Sequence, residues 1–218
     1  MSRQFAILGM GYFGIIVAQE LRRQHHQVMG IDADEARVNA QSELFNHAVV
    51  GDITNAKVLE ELSLDQYDAV VIDADDDIES SMICTLLARE QEAREIWVKA
   101  HSDTHYRLLE HLGADHIVYP EYDSGMRVAE SLHYQAMVDF IRLGGNQFIV
   151  ELQTTDELAK SCDCVGDLAL DPEKLALIAI TRDKEVLRQP DHDTPLEKGD
   201  NLILMGDLDD LRELGKKL

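Results

Sequence analysis

The chain has 218 residues, 45% of them hydrophobic, enough for one large domain or two small ones. Its 42 acids against 20 Lys plus Arg give a formal net charge of -22, which argues against a nucleic-acid backbone as partner. That balance suits a self-repelling protein able to attract cations, or simply a solvated acidic surface.

The chain enters an apolar strand, Phe5-Ala6-Ile7-Leu8, almost at once, so no secretory leader is expected. No stretch approaches the length of a transmembrane helix, and any membrane attachment is expected to come through a partner. The three cysteines, Cys84, Cys162 and Cys164, are expected as reduced thiols.

The first strand runs into Gly9-Met10-Gly11-Tyr12-Phe13-Gly14 and then a helix over 13–23. Strand, glycine turn and helix is the order of the first unit of a dinucleotide-binding domain. Gly9 is expected to allow the tight turn, Gly11 to let backbone approach a pyrophosphate, and Gly14 to let helix and strand pack closely. Phosphate would rest on the free N–H groups at the helix start.

A second strand over 27–31 ends in Asp32, about twenty residues past the glycine turn. A carboxylate there can accept from both hydroxyls of an adenosine ribose. A helix over 34–44 and a short third strand over 47–50 follow. Gly51-Asp52-Ile53-Thr54 then lines the adenine side of a cleft, or Asp52 caps the next helix, which runs to 62. The fourth strand, 68–72, runs into Asp73-Ala74-Asp75-Asp76-Asp77 and a helix over 78–89. These carboxylates sit where ligands bind in parallel sheets. They repel bare phosphate, and they suit a hydroxyl, a divalent cation, or plain helix capping.

The fifth strand, 95–99, ends in Lys99, which either faces a phosphate or pairs with an acid. His101 is a candidate cap for the helix over 104–112. A sixth strand over 115–119 leads to Pro120 and Glu121, both favoured in a first helical turn. The helix is expected over 121–140, with Met126, Ala129, Leu132, Ala136, Met137 and Phe140 on one face and a boundary at Gly144-Gly145. Strand and helix alternate over 5–119, predicting an α/β fold with a mostly parallel, Rossmann-like sheet. The remainder reads as strands over 148–152, 175–181 and 201–205. It also has a hairpin turn at 182–185, a weak helix over 157–162, a break at Gly206 and a closing helix over 207–216, together a small α+β lobe.

This organisation resembles the regulator of potassium conductance (RCK/KTN) family, the cytosolic regulatory subunits of Ktr- and Trk-type potassium transporters. The likeness covers essentially the whole chain and is closest to the KtrA type. It is carried by the segment from Phe5 to Gly14, by Gly30-Ile31-Asp32-Ala33-Asp34 and by Ile96-Trp97-Val98-Lys99-Ala100. Leu112-Gly113-Ala114-Asp115-His116-Ile117-Val118-Tyr119-Pro120-Glu121 is its most specific stretch, and Ile149-Val150-Glu151-Leu152 and Leu202-Ile203-Leu204-Met205-Gly206 carry it into the second lobe.

The resemblance implies a nucleotide-binding N-lobe over 1–119, a crossover helix and linker over 120–143 and a dimerisation or regulatory C-lobe over 144–218. It implies homodimers assembled into an octameric ring, peripheral at the inner face of the cell membrane beneath a potassium channel or transporter subunit. The cofactor is an adenine nucleotide, ADP or ATP, or NAD or NADH, with no catalysis. Implied ligand contacts are Gly9, Met10, Gly11, Tyr12, Phe13, Gly14, Asp32, Ala33, Asp34, Arg37, Gly51, Asp52, Ile53, Asp73, Ala74, Asp75 and Lys99. Glu121 matches an acid that helps hold a divalent cation, magnesium or calcium, at the dimer interface.

Two departures stand out. Tyr12 replaces an Arg that contacts the terminal phosphate of ATP in close relatives, and Tyr lacks that charge and fork of donors. The acidic run 73–77 replaces a less charged, Gly-containing loop. Both weaken the expectation of ATP and favour ADP, AMP, NAD or NADH. Some relatives bind a cyclic dinucleotide in the C-lobe, but Asp171-Pro172-Glu173 stands where an Arg is expected, so that ligand is not carried over. The alternatives are an NAD-dependent oxidoreductase, for which His101, His105 and His133 show no pairing, and a nucleotide-independent assembly module.

Overall fold

The computed structural model describes residues 2–133, 137–144, 146–156, 158–183 and 185–215. The chain divides into two compact units, Met1–Glu121 and Tyr122–Leu218.

In the first unit the apolar segments become β1 (Gln4–Leu8), β2 (Gln27–Asp32), β3 (His47–Val50), β4 (Ala69–Ile72), β5 (Ile96–Lys99) and β6 (His116–Val118). All pair in parallel, in the order β3-β2-β1-β4-β5-β6. The short runs are apolar on consecutive residues because both faces are covered. Alternate side chains divide between two cores. Ala6, Leu8, Met29, Ile31, Val70 and Ile72 enter one, while Ile7, Val28 and Val71 enter the other.

The connections carry α1 (Tyr12–Arg23), α2 (Glu35–Gln41), α3 (Ala56–Leu62), α4 (Ile78–Glu90) and α5 (Asp103–Leu112). The helix expected over 34–44 is α2 followed by a 3₁₀ turn at Ser42–Leu44, starting after its N-cap Asp34. Two expected caps are corrected. Asn55 caps α3, and Asp52 instead accepts from the N–H and hydroxyl of Thr54. Ser102 caps α5 through the His105 N–H, and the His101 N–H donates to His105 Nδ1. Gly113, at φ +93, closes α5 in the left-handed conformation, and Arg89 bonds its carbonyl at 3.0 and 2.6 Å.

α6 runs from Pro120 to His133, and β7 (Met137–Gly144) is a strand. The helix expected to Phe140 therefore stops earlier, and Ala136 lies outside the described residues. Met137-Val138-Asp139-Phe140-Ile141 is apolar except at Asp139, and a short apolar run of this kind does not separate helix from strand by period, so its pairing with β8 (Gln147–Gln153) decides between them. The expected boundary at Gly144-Gly145 falls at the end of β7, with Gly145 outside the described residues.

The second unit continues with β8 (Gln147–Gln153), α7 (Leu158–Ser161), β9 (Leu175–Arg182), β10 (Glu185–Arg188), β11 (Asn201–Asp207) and α8 (Leu208–Gly215). Its sheet is antiparallel, ordered β10-β9-β11-β8-β7. Glu157, Lys184 and Lys216, in the expected helix, hairpin turn and closing helix, lie outside the described residues. Gly206 does not break β11. It pairs with Phe148 and Leu175, and a Cβ there would come within 2.6 Å of the Lys174 carbonyl. β11 alternates buried and half-buried positions, so one face enters a core with Leu211 and Leu214 of α8. At its edge Arg182 clamps the fully buried Asp200 through Nε at 2.7 Å and a terminal nitrogen at 2.7 Å.

Candidate functional site

The strand order places β1 and β4 side by side while the chain leaves them toward opposite edges of the sheet. Ligands bind outside the carboxyl ends of the strands at such a switch point. A cleft of about 300 Å³ opens there, lined by Gly9, Asp32, Ala33, Arg37, Asp52, Ile53, Ala74, Asp75, Asp76, Asp77 and Ser80.

At Gly9 and Gly14 the glycine turn has the geometry expected from its spacing, whereas the space beside Gly11 is occupied by the Asp73 and Asp75 carboxylates. Gly9 has φ +86, and a Cβ there would lie 2.2 Å from the Asp73 carbonyl oxygen. At Gly14 a Cβ would meet Ile7 Cγ2 at 2.9 Å and the Gly9 carbonyl at 3.2 Å, so glycine permits close helix-to-strand contact. Gly11 is the N-cap of α1 and offers no side-chain cap.

Asp32, at the end of β2, is nearly buried and fully engaged. Its Oδ2 accepts from the Met10 N–H at 2.8 Å and from Arg37 at 3.1 Å. Its Oδ1 accepts from the Asp34 N–H at 2.8 Å. Arg37 also reaches Asp75 at 2.6 Å. The guanidinium thus bridges Asp32 and the acidic loop, and it is the one cation in a lining with five carboxylates. Asp34 accepts from the Ala36 and Arg37 N–H groups as the cap of α2. The hydroxyl and N–H of Thr54 hold Asp52 below the usual carboxylate range.

Asp73 is fully buried beneath the cleft. Its Oδ2 accepts from the Gly14 N–H at 2.8 Å, and Oδ1 has no hydrogen-bond partner among the described residues. Burial pushes its carboxyl above the ordinary range and Asp75 adds to the push, against the Gly14 N–H, Lys99 and His101. Asp75 holds a left-handed backbone, φ +49, uncommon without glycine.

Of the residues expected from the sequence, Gly9, Asp32, Ala33, Arg37, Asp52, Ile53, Ala74 and Asp75 meet in this cleft. Met10 is buried and contributes its N–H to Asp32. Tyr12 is 80% exposed at the start of α1. Phe13 lines a separate apolar groove with Val17, Val71 and Trp97. Gly51 bonds the Asp32 carbonyl through its N–H at 2.9 Å. Lys99 takes the acid-pairing alternative: its Nζ lies 2.8 Å from Glu121, whose carboxyl this bond holds below the usual range. Among the described residues no cluster of three or more His, Cys, Asp or Glu is arranged to hold a metal ion. Ser80 is a lining residue missed in the sequence. Its signal was the Asp77-x-x-Ser80 spacing, in which Asp77 accepts from the Ser80 N–H and hydroxyl.

Among the described residues no helix is long and apolar enough to cross a membrane. The TrkA-N domain family matches residues 5–120 and the TrkA-C domain family residues 164–218. The Ktr system potassium uptake protein A of Vibrio alginolyticus is 35% identical over 218 residues, covering 100% of this chain and 98% of that protein. Among solved structures, the GsuK channel bound to NAD superposes with a TM-score of 0.68 at 19% identity, over 98% of this chain and 39% of the channel chain. The Shewanella denitrificans Kef C-terminal domain in AMP-bound form superposes at 0.51 and 22% identity, over 60% of this chain and 80% of that one. The chain belongs to the TrkA-like, RCK/KTN family, whose members are regulatory, non-catalytic subunits homologous to those of Ktr and Trk potassium-uptake systems.

Proposed function

We propose that this protein is a cytoplasmic, nucleotide-sensing regulatory subunit that gates a membrane potassium channel or transporter. The observation that carries this is the cleft at the switch point, where a glycine turn, the strand-end Asp32 and the Asp52 loop converge. Adenine would lie by Gly51-Asp52-Ile53 and ribose by Asp32, Ala33 and Asp34 with Arg37. Phosphate would approach Gly9 to Gly14, Asp73 to Asp75 and Lys99. Fold relatives named as bound to NAD and to AMP support an adenine nucleotide as the ligand class.

In this reading residues 1–119 bind the ligand, 120–143 connect, and 144–218 serve dimerisation or regulation. Homodimers assemble into an octameric ring attached to the inner membrane face through the transport subunit. Glu121 joins a magnesium or calcium site at the dimer interface, in competition with its bond to Lys99. Ligand acts by binding two ring conformations with different affinity, since equal affinity would shift nothing.

A thermal-shift panel of ATP, ADP, AMP, NAD and NADH, each with and without divalent cation, tests the site. Stabilisation by at least one is expected, and none would leave a pure assembly module. An NADH absorbance assay with candidate substrates accompanies it, and sustained turnover would establish the oxidoreductase instead.

A further inference from the structure

Gly11 is the position a dinucleotide fold keeps bare so that ligand phosphate can approach the backbone. Here that space is filled from within. A Cβ on Gly11 would lie 2.3 Å from Asp73 Oδ2 and 2.6 Å from Asp75 Oδ1. The same Asp73 oxygen takes the Gly14 N–H, one of the first donors of α1. An anion at a helix N-terminus is stabilised by those donors and by the helix dipole. The chain supplies the acceptor oxygen there itself, on a fully buried carboxyl whose other oxygen has no partner among the described residues. The charged groups that act on Asp73 are Asp75, Lys99 and His101, and Lys99 is already bonded to Glu121. Above it, the cleft sets five carboxylates against one guanidinium.

We propose that Asp73 is a built-in substitute for ligand phosphate at the start of α1, so that the cleft selects an adenine nucleoside carrying at most one phosphate and rejects polyphosphates. The proposal rests on the nucleotide-binding reading above and specifies its ligand. Each further phosphate adds negative charge beside Asp73 and Asp75 and has no vacant seat on the Gly14 N–H. A full charge a few ångströms away, at an effective dielectric near 20, is worth well over a factor of about ten in affinity.

Titration calorimetry with adenosine, AMP, ADP and ATP tests this, using the full chain in chelator so that the phosphates carry no divalent cation. AMP is expected to bind at least about tenfold more tightly than ATP. Asp73→Asn is expected to narrow that gap by about tenfold, and Asp75→Gly to narrow it in the same direction. Circular dichroism checks the fold. Should Asp73→Asn fail to fold, Asp75→Gly decides, because its side chain is half-exposed and its left-handed backbone suits glycine. ATP binding as tightly as AMP in the unsubstituted chain, or a gap unchanged in every folded variant, overturns the proposal and leaves nucleotide binding intact. Binding of none of the four, to any variant, overturns the proposal, and the NAD and NADH arms of the thermal-shift panel then decide the nucleotide reading.

Discussion

Asp32→Asn separates the structural work of this residue from its proposed ligand role. Both carboxylate oxygens accept a backbone N–H, Oδ2 from Met10 and Oδ1 from Asp34, each at 2.8 Å. Asparagine has one acceptor oxygen, so its NH₂ must face a donor in either orientation. The cheaper orientation keeps Met10 and Arg37 on the oxygen and turns the NH₂ toward Asp34. It loses one hydrogen bond to a charged group, worth about 1.5–3 kcal/mol. It also weakens the Arg37 pairing, discounted to about 0.5–1 kcal/mol because that guanidinium is 38% exposed. The sum is about 2–4 kcal/mol, or roughly 8–15 °C for a unit of this size. The chain has one tryptophan, Trp97, in β5 and stacked on His116 at 4.0 Å, so its fluorescence follows urea unfolding of the first unit. A loss below about 0.5 kcal/mol would refute the hydrogen-bond accounting. If stability falls as expected but nucleotide affinity is unchanged, the ribose role of Asp32 is wrong.

Three further outcomes are expected. His105 is fully buried, and burial followed by its neighbour His101 pushes its pKa down. A depressed histidine contributes stability above its unfolded pKa of about 6.5 and loses it as pH falls, at no more than about 1.4 kcal/mol per pH unit. Melting temperature against pH should therefore fall less steeply below about pH 6.5 in His105→Gln than in the unsubstituted chain, and parallel curves would count against it. Arg182→Met strands the buried Asp200 and should cost about 3–5 kcal/mol. Hydrogen exchange should show β9 and β11 losing protection while β1 and β4 keep theirs, and unchanged exchange would sink the idea. Tyr12→Arg adds a cation at an exposed helix start, and one charge-assisted bond corresponds to about a tenfold gain for ATP over ADP. An unaltered ratio in calorimetry would show that residue 12 does not face the third phosphate.

The first unit was legible because local chemistry and topology agree there. Phe5 to Leu8 is uniformly apolar, Gly9 needs φ +86, and Asp32 ends a buried strand, so each signal stands within its own stretch of chain. The state of the carboxylates was not legible. Nothing near Asp73 in sequence says that it reaches the Gly14 N–H, 59 positions away, or that Arg37 bridges Asp32 and Asp75. Lys99 was open between phosphate and acid, and only the fold brings Glu121 to it. β7 was misread because its apolar spacing serves both a helix and a strand, and its pairing with β8 is what resolves it.

The central place of β1 also bears on how the chain is made. β1 needs β2 on one side and β4 on the other, and Phe5 pairs with Ala69, 64 positions later. Until β4 leaves the ribosome, one edge of β1 lacks its partner in the sheet. Closing that span costs chain entropy before contacts repay it, and parallel sheets with distant pairings assemble slowly for this reason. The second unit has its hairpins β7–β8 and β9–β10 between near neighbours, which bring strand edges together early. β1 thus waits on a distant partner while the chain is made, and its open edge is a surface in need of protection during synthesis.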